Sequence, residues 1–200
     1  VIHHPSILKD IIQGKSKEEI RAKVRRLDQE RMQKETIEFI AYLKRTSPYY
    51  VNSSEKLKLN KLCCIEDWEN SEMKEALSEL KNAGLLGFVN RKPWEWAHGI
   101  VAMRRFGKLN KNSVAVGVGS GKEAILFYLA NKLNHVYATD LYEGKEWKQA
   151  PSDFLTNPAK YAPFAYKEDA LTVLRMNGTK LEFPSENFDS AFSFSSIEHF

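Results

Sequence analysis

The sequence predicts an α/β fold in two parts: an α-helical N-terminal region over residues 1–92 and a partial parallel sheet over residues 93–200. Three observations predict it. Capped amphipathic stretches fill the first half; after Gly107 short apolar strands alternate with crossover segments; and a glycine-rich turn leads from the first of those strands into a helix with almost no polar face. With 200 residues and 42% hydrophobic content the chain can bury an ordinary core.

Ser16-Lys-Glu-Glu19 offers an N-cap with a glutamate three positions on, so that each side chain can satisfy the other's backbone N–H. Apolar residues follow at Ile20, Val24, Leu27, Ile37, Ile40 and Leu43, which predicts a long amphipathic helix. The stripe lapses over Gln29–Gln33, favouring one or two helices packed on a neighbouring domain over a continuous coiled coil. Ser47-Pro48 ends the helix, because proline pushes the residue before it out of the α region, and residues 52–60 read as a polar loop. A second helix has Glu69 and Glu72 in its first turn, apolar Met73, Leu77 and Leu80, and a stop at Gly84. A third starts around Pro93 and runs through Trp94, Ala97, Val101 and Met103 to Gly107. Trp94 and Trp96 read as core or interface aromatics rather than ligand contacts.

Ser113–Gly117 is a short strand of the buried type, Gly117-Val-Gly-Ser-Gly121 a turn, and 123–133 an apolar helix. His135–Asp140 is the second strand. Residues 143–167 are too long for a simple connection and carry a helix or an ordered loop of their own. Ala170–Met176 is a helix end or a third strand, and Phe188–Ser195 the fourth strand. Strand, crossover, strand in this rhythm gives parallel pairing.

Composition removes several function classes. The longest apolar run, Ala124–Ala130, is far below the roughly 18 residues of a membrane helix, and the chain shows no export signal. Cys63 and Cys64 are adjacent, which suits neither a disulfide framework nor a zinc site and points to a reducing, cytoplasmic setting. The five histidines are scattered, with His3-His4 at a frayed terminus, so the sequence offers no metal cluster. Residues 1–110 hold 21 Lys+Arg against 15 Asp+Glu, and residues 111–200 hold 9 against 11. The basic excess is interleaved with glutamate, as on a solvated helix, and the second half is acidic, so both argue against a nucleic-acid partner.

A glycine turn at the carboxyl end of a first strand lets a ligand approach the backbone, and the helix that follows favours negative charge. Gly119-Ser-Gly121-Lys-Glu-Ala124 also fits the dinucleotide fingerprint, and Asp140, 19 residues beyond Gly121, stands where a ribose-binding acid belongs. By itself this pattern serves NAD and other adenosine cofactors equally.

Val114-Ala-Val-Gly-Val-Gly-Ser-Gly-Lys-Glu123, Val136-Tyr-Ala-Thr-Asp140, Leu181-Glu-Phe-Pro184 and Phe188-Asp-Ser-Ala-Phe-Ser-Phe-Ser-Ser-Ile-Glu-His-Phe200, taken in order, resemble the class I S-adenosylmethionine-dependent methyltransferases of the type 11 group. The resemblance covers about residues 108–200, with a weaker echo in Trp94-Glu-Trp96. It implies a Rossmann-like core and S-adenosylmethionine as cofactor. Gly119 and Gly121, with Ser120 between them, would line its methionine part, with Gly117 and Val118 in the same cofactor-binding set; Asp140 would hold the ribose, Leu141 would pack on the adenine, and Asn177, beside Gly178, would accept from the adenine amino group. Ser195, at the end of the fourth strand, belongs to the same set. Gly117 replaces the acidic residue usual in the family, and Glu123, in the first helical turn, could compensate by facing the cofactor's ammonium; a plain helix-dipole role for Glu123 stands beside that reading.

Methyl transfer needs alignment of donor and acceptor more than catalytic side chains. Where the acceptor is a hydroxyl, Glu198 or His199 could take its proton, or they shape the pocket and cap the next helix. The resemblance further implies a sheet that continues past the fourth strand, so a chain ending at Phe200 and beginning at Val1 reads as truncated, with a missing C-terminal segment or a partner completing the sheet. A small molecule or a glycan is the preferred acceptor. Two other readings stay open: an NAD-dependent oxidoreductase using the same turn, and a non-catalytic cofactor-binding or interaction module.

Overall fold

The computed structural model describes residues 5–46, 56–85, 91–143 and 148–199. Contacts divide the chain into two compact units, 1–52 with 86–90, and 53–85 with 91–200. Residues 53–85 group with the sheet. The expected helix stop at Ser47-Pro48, His3-His4, Phe200, and parts of the 52–60 and 143–167 stretches lie outside the described residues.

The first unit holds α1 (Pro5–Ile12) and α2 (Lys17–Thr46). The expected cap is present: Glu19 N–H donates to Ser16 Oγ at 3.2 Å while Ser16 N–H donates to Glu19 Oε2 at 2.9 Å. The stripe that lapses in the sequence belongs to one 30-residue helix. Asp10 is buried at the end of α1 and takes Lys23 at 2.5 Å and Lys15 at 3.0 Å, which neutralises it and ties α1 to the start of α2.

In the second unit, α3 (Ser71–Asn82) is capped by Asn70, whose Oδ1 accepts from the N–H groups of Glu72 at 3.0 Å and Met73 at 3.3 Å. Glu69 therefore precedes α3 and closes a 3₁₀ turn, Ile65–Glu69, a correction to its expected place in the first helical turn. Gly84 ends the helix with φ 84°, a backbone region that glycine enters without a Cβ clash. α4 (Arg91–Arg105) packs on α3 and buries Trp94, Ala97, Ile100 and Val101. Trp94 donates its indole N–H to buried Asp67 at 2.7 Å, and Lys61 pairs the same carboxylate. Trp94 is thus a core residue with its polar atom satisfied.

The sheet comprises β1 (Val114–Val118), β2 (His135–Asp140), β3 (Leu171–Arg175) and β4 (Ser190–Phe192), in the order β3-β2-β1-β4 with every pairing parallel. β3 resolves the helix-or-strand ambiguity at 170–176. β4 is shorter than the expected 188–195, because the chain leaves the ladder after Phe192 and turns at Ser195, whose φ is 57°. α5 (Ile125–Lys132) follows β1, and Ile125 to Ala130 are all buried, as its lack of a polar face requires. The helix expected over 123–133 is shorter at both ends.

The long β2–β3 connection is an ordered loop. It makes 3₁₀ turns at Ser152–Leu155 and Pro158–Tyr161, and fully buried Phe154 anchors it against Phe127, Tyr142 and Tyr161. Near β4, Phe183 and Phe188 meet each other and the ring of Tyr137 on β2, so Leu-Glu-Phe-Pro184 serves as an aromatic brace. Asp189 accepts from Val114 N–H at 2.9 Å and from Lys108 at 3.0 Å; these bonds hold its carboxyl below the usual range and lock the start of β4 to β1.

Candidate functional site

With this strand order the chain's connections change direction between β1 and β4, and the crevice outside the carboxyl ends of those parallel strands is where such sheets accept ligands. Its floor is the turn after β1. Gly119 and Gly121 have φ of 60° and 49°, a left-handed region that costs other residues about 1–2 kcal/mol. Ser120 is buried and donates twice to the Thr139 carbonyl, from N–H at 3.0 Å and Oγ at 3.3 Å, while Thr139 Oγ1 returns a bond to Gly117 O at 2.9 Å. Turn and β2 are thereby fixed to each other.

Asp140 ends β2 facing the turn. Its Oδ2 accepts from Gly121 N–H at 2.9 Å and its Oδ1 from Leu141 N–H at 2.7 Å. Each oxygen keeps a second lone pair, and the residue is only half-buried, so the carboxylate is positioned and still able to accept. Leu141 beside it is exposed, an apolar surface at the crevice mouth. Met176 N–H donates to Asp140 O at 3.1 Å, which brings the end of β3 alongside. Asn177 and Gly178 follow there, but Asn177 Oδ1 already takes Thr179 N–H at 2.9 Å and Thr179 Oγ1 at 2.8 Å.

The glycines of the turn do more than admit a ligand. A Cβ at Gly121 would stand 2.5 Å from the Gln149 carbonyl, which accepts Lys122 N–H at 2.8 Å, so the long β2–β3 loop lies on this residue. Tyr142, fully buried, donates its hydroxyl to Gly121 O at 2.8 Å, and burial pushes that phenol well up. A Cβ at Gly117 would meet the Phe192 ring at 2.8 Å. Val118 closes the strand, half-buried.

Glu123 lies two residues before α5 rather than in its first turn: Ala124 is the N-cap, and the Glu123 carbonyl already accepts from Leu126 N–H. Its carboxylate pairs with Lys92 and accepts the Trp96 indole N–H at 2.8 Å. Ser195 Oγ donates to Glu95 Oε1 at 2.8 Å, and Ser196 Oγ to Gly119 O at 2.5 Å, so the segment after β4 is fastened both to α4 and to the turn. Glu198 and His199 sit in the 3₁₀ turn Ile197–His199, both exposed, on that same segment. Lys92, Glu95, Trp96 and Ser196 are site residues that sequence reading missed or read as packing; only the i,i+3 spacing of Lys92 and Glu95 signals a local pair.

An open parallel sheet with a glycine turn and a fixed carboxylate at neighbouring strand ends defines a Rossmann-like core. Residues 116–200, from β1 through the segment after β4, match the family described as a methyltransferase domain, and the four-stranded all-parallel sheet fits a core of that kind. No curated protein matches the chain. Among the described residues no helix is long and apolar enough to cross a membrane.

Proposed function

We propose that the domain transfers a methyl group from S-adenosylmethionine to a small-molecule or glycan acceptor. The observation that carries the reading is the fixed carboxylate of Asp140, held by Gly121 and Leu141 N–H groups with a lone pair left on each oxygen. A diol such as a ribose needs two such acceptors side by side. The residues present fit the cofactor on a second count: Glu95 Oε2 is a buried atom lacking any aligned hydrogen bond, and Glu95 is tied by Ser195 to the segment after β4, where an amino-acid group would add polar partners. Asp140 would hold the ribose, Leu141 would cover the adenine, and Gly119 with Glu123 would flank the amino-acid end.

When bound, the sulfonium supplies an activated methyl group that leaves by in-line displacement. The chain's own part is to orient and to exclude water. The bonds from Ser196 to Gly119 and from Ser195 to Glu95 close the crevice on the β4 side, and Gln149 on Gly121 closes it on the β2 side. For a hydroxyl acceptor, Glu198 or His199 are proposed to take the proton. The match to a methyltransferase domain favours this reading over an NAD-dependent oxidoreductase.

Calorimetric titration with S-adenosylhomocysteine and with NAD tests it, on the natural chain and on Asp140→Ala and Asp140→Asn. Micromolar binding of the homocysteine product, lost in the alanine variant and weakened in the asparagine variant, with NAD silent, is expected. Binding of NAD alone, or of neither ligand to a folded chain, overturns it.

A further inference from the structure

Among the described residues, three acceptors converge on one ammonium in the crevice between β1 and β4. Lys92 donates to the Glu123 carboxylate and, at 3.2 Å, to Phe194 O, and it stands 3.2 Å from Glu95 Oε2. The three come from different places: the turn after β1, the segment after β4, and α4 itself. Each carboxylate is also anchored independently of Lys92, Glu123 by the Trp96 indole at 2.8 Å and Glu95 by the Ser195 hydroxyl at 2.8 Å and the Arg91 guanidinium at 3.3 Å. The cage therefore has a shape of its own. It also binds Lys92 imperfectly, since Glu95 Oε2 makes the ion pair without an aligned hydrogen bond.

Two carboxylates and a carbonyl suit one cation, and a second ammonium beside Lys92 would meet a like charge in a partly desolvated crevice. The occupant is tethered but not entombed: the Lys92 side chain is 36% exposed, whereas that of Glu95 is 13% and that of Glu123 19% exposed. Lys92 is the second residue of α4, so its stem can swing toward solvent without unwinding the helix.

We propose that Lys92 is a tethered plug: its ammonium fills the subsite that the ammonium of the methyl donor's amino-acid end takes, so donor binding requires Lys92 to swing out. This rests on the S-adenosylmethionine reading given above and adds to it a residue that sets donor affinity. The adenosine end is assigned to Asp140 and Leu141, whereas the plug pairs with Glu123, Glu95 and Phe194 O. A ligand without an ammonium should therefore ignore it.

The test titrates the natural chain, Lys92→Met and Lys92→Gln with S-adenosylhomocysteine and with 5′-methylthioadenosine, which keeps the adenosine thioether and lacks the amino-acid end. Both neutral variants should bind the homocysteine product about tenfold more tightly, the change expected when a competent state populated at about a tenth becomes fully open. Methylthioadenosine affinity should stay the same in all three, and thermal melts report that each is folded. If the variants bind S-adenosylhomocysteine no better, or more weakly as a lysine that grips the ligand's carboxylate would require, the plug is overturned while methylthioadenosine binding still upholds the cofactor reading. If no form binds either ligand, the cofactor reading falls and the plug with it.

Discussion

The ring of Phe192 occupies the space in which a side chain at Gly117 would begin. The two residues are register partners across β1 and β4, and a Cβ on Gly117 would lie 2.8 Å from two ring atoms and 2.9 Å from Ser120 Cβ. The methyltransferases that the chain resembles carry an acid at this place. Here the ring excludes one, and acidic groups reach the crevice from Glu123 and from Glu95 on α4 instead.

Gly117→Ala should therefore destabilise the domain by about 1–3 kcal/mol through overpacking alone. Phe192→Leu in the same chain should relieve part of that cost, because neighbours sharing one contact are not additive. Urea unfolding of the two single variants and the double variant measures the coupling. A coupling of zero would mean that the ring does not set the glycine.

Gly121 differs in kind, because both conformation and space require it. With φ 49° and the Gln149 carbonyl 2.5 Å from a built Cβ, Gly121→Ala should cost roughly 2–5 kcal/mol, the sum of a left-handed penalty and a backbone clash. The loop that carries Gln149 should lift, so limited proteolysis at 148–151 should accelerate more than cleavage elsewhere. Unchanged melting and cleavage would show that the loop does not rest on the turn.

The sheet and its turn were legible because their signals are local. Short apolar runs mark β1 and β2, the first running into the glycine turn, and the spacing from Gly121 to Asp140 places a carboxylate that does bond the Gly121 N–H. Boundaries were read less well where packing decides them: Glu123 carries an acid suited to a first helical turn, yet Lys92 and Trp96 draw it into the crevice. Asn70, the cap of α3, is a residue type suited to that place, one position after the Glu69 expected in the first turn. The bonds that close the site join residues far apart in the chain, Lys92 to Glu123 across 31 positions, Ser196 to Gly119 across 77 and Ser195 to Glu95 across 100. Periodicity holds no record of such pairs, since it reports only which face a residue shares with its neighbours.

Glu79 links α3, α4 and α5, and its charge gives the domain a predictable acid response. It accepts from the Tyr128 hydroxyl at 2.5 Å, pairs with Arg104, and lies 3.4 Å from Lys132. Burial works to raise its carboxyl, but the Tyr128 bond and the two cations outweigh burial and hold it below the ordinary range. Tyr128 is pushed well up, by burial first and by Glu79 second, and so remains a donor. A carboxylate depressed in the folded state contributes stability that is complete above its unfolded pKa, about 4.3, and is lost as pH falls through the lower folded value. Glu79→Gln should cost about 1–3 kcal/mol near neutrality, because a charge-assisted network loses its acceptor. The gap between natural and variant chains should then narrow as pH is lowered through about 4.3 and below. Urea midpoints across that range measure it, and a gap that stays constant with pH would show that Glu79 is not the group whose ionisation braces the three helices.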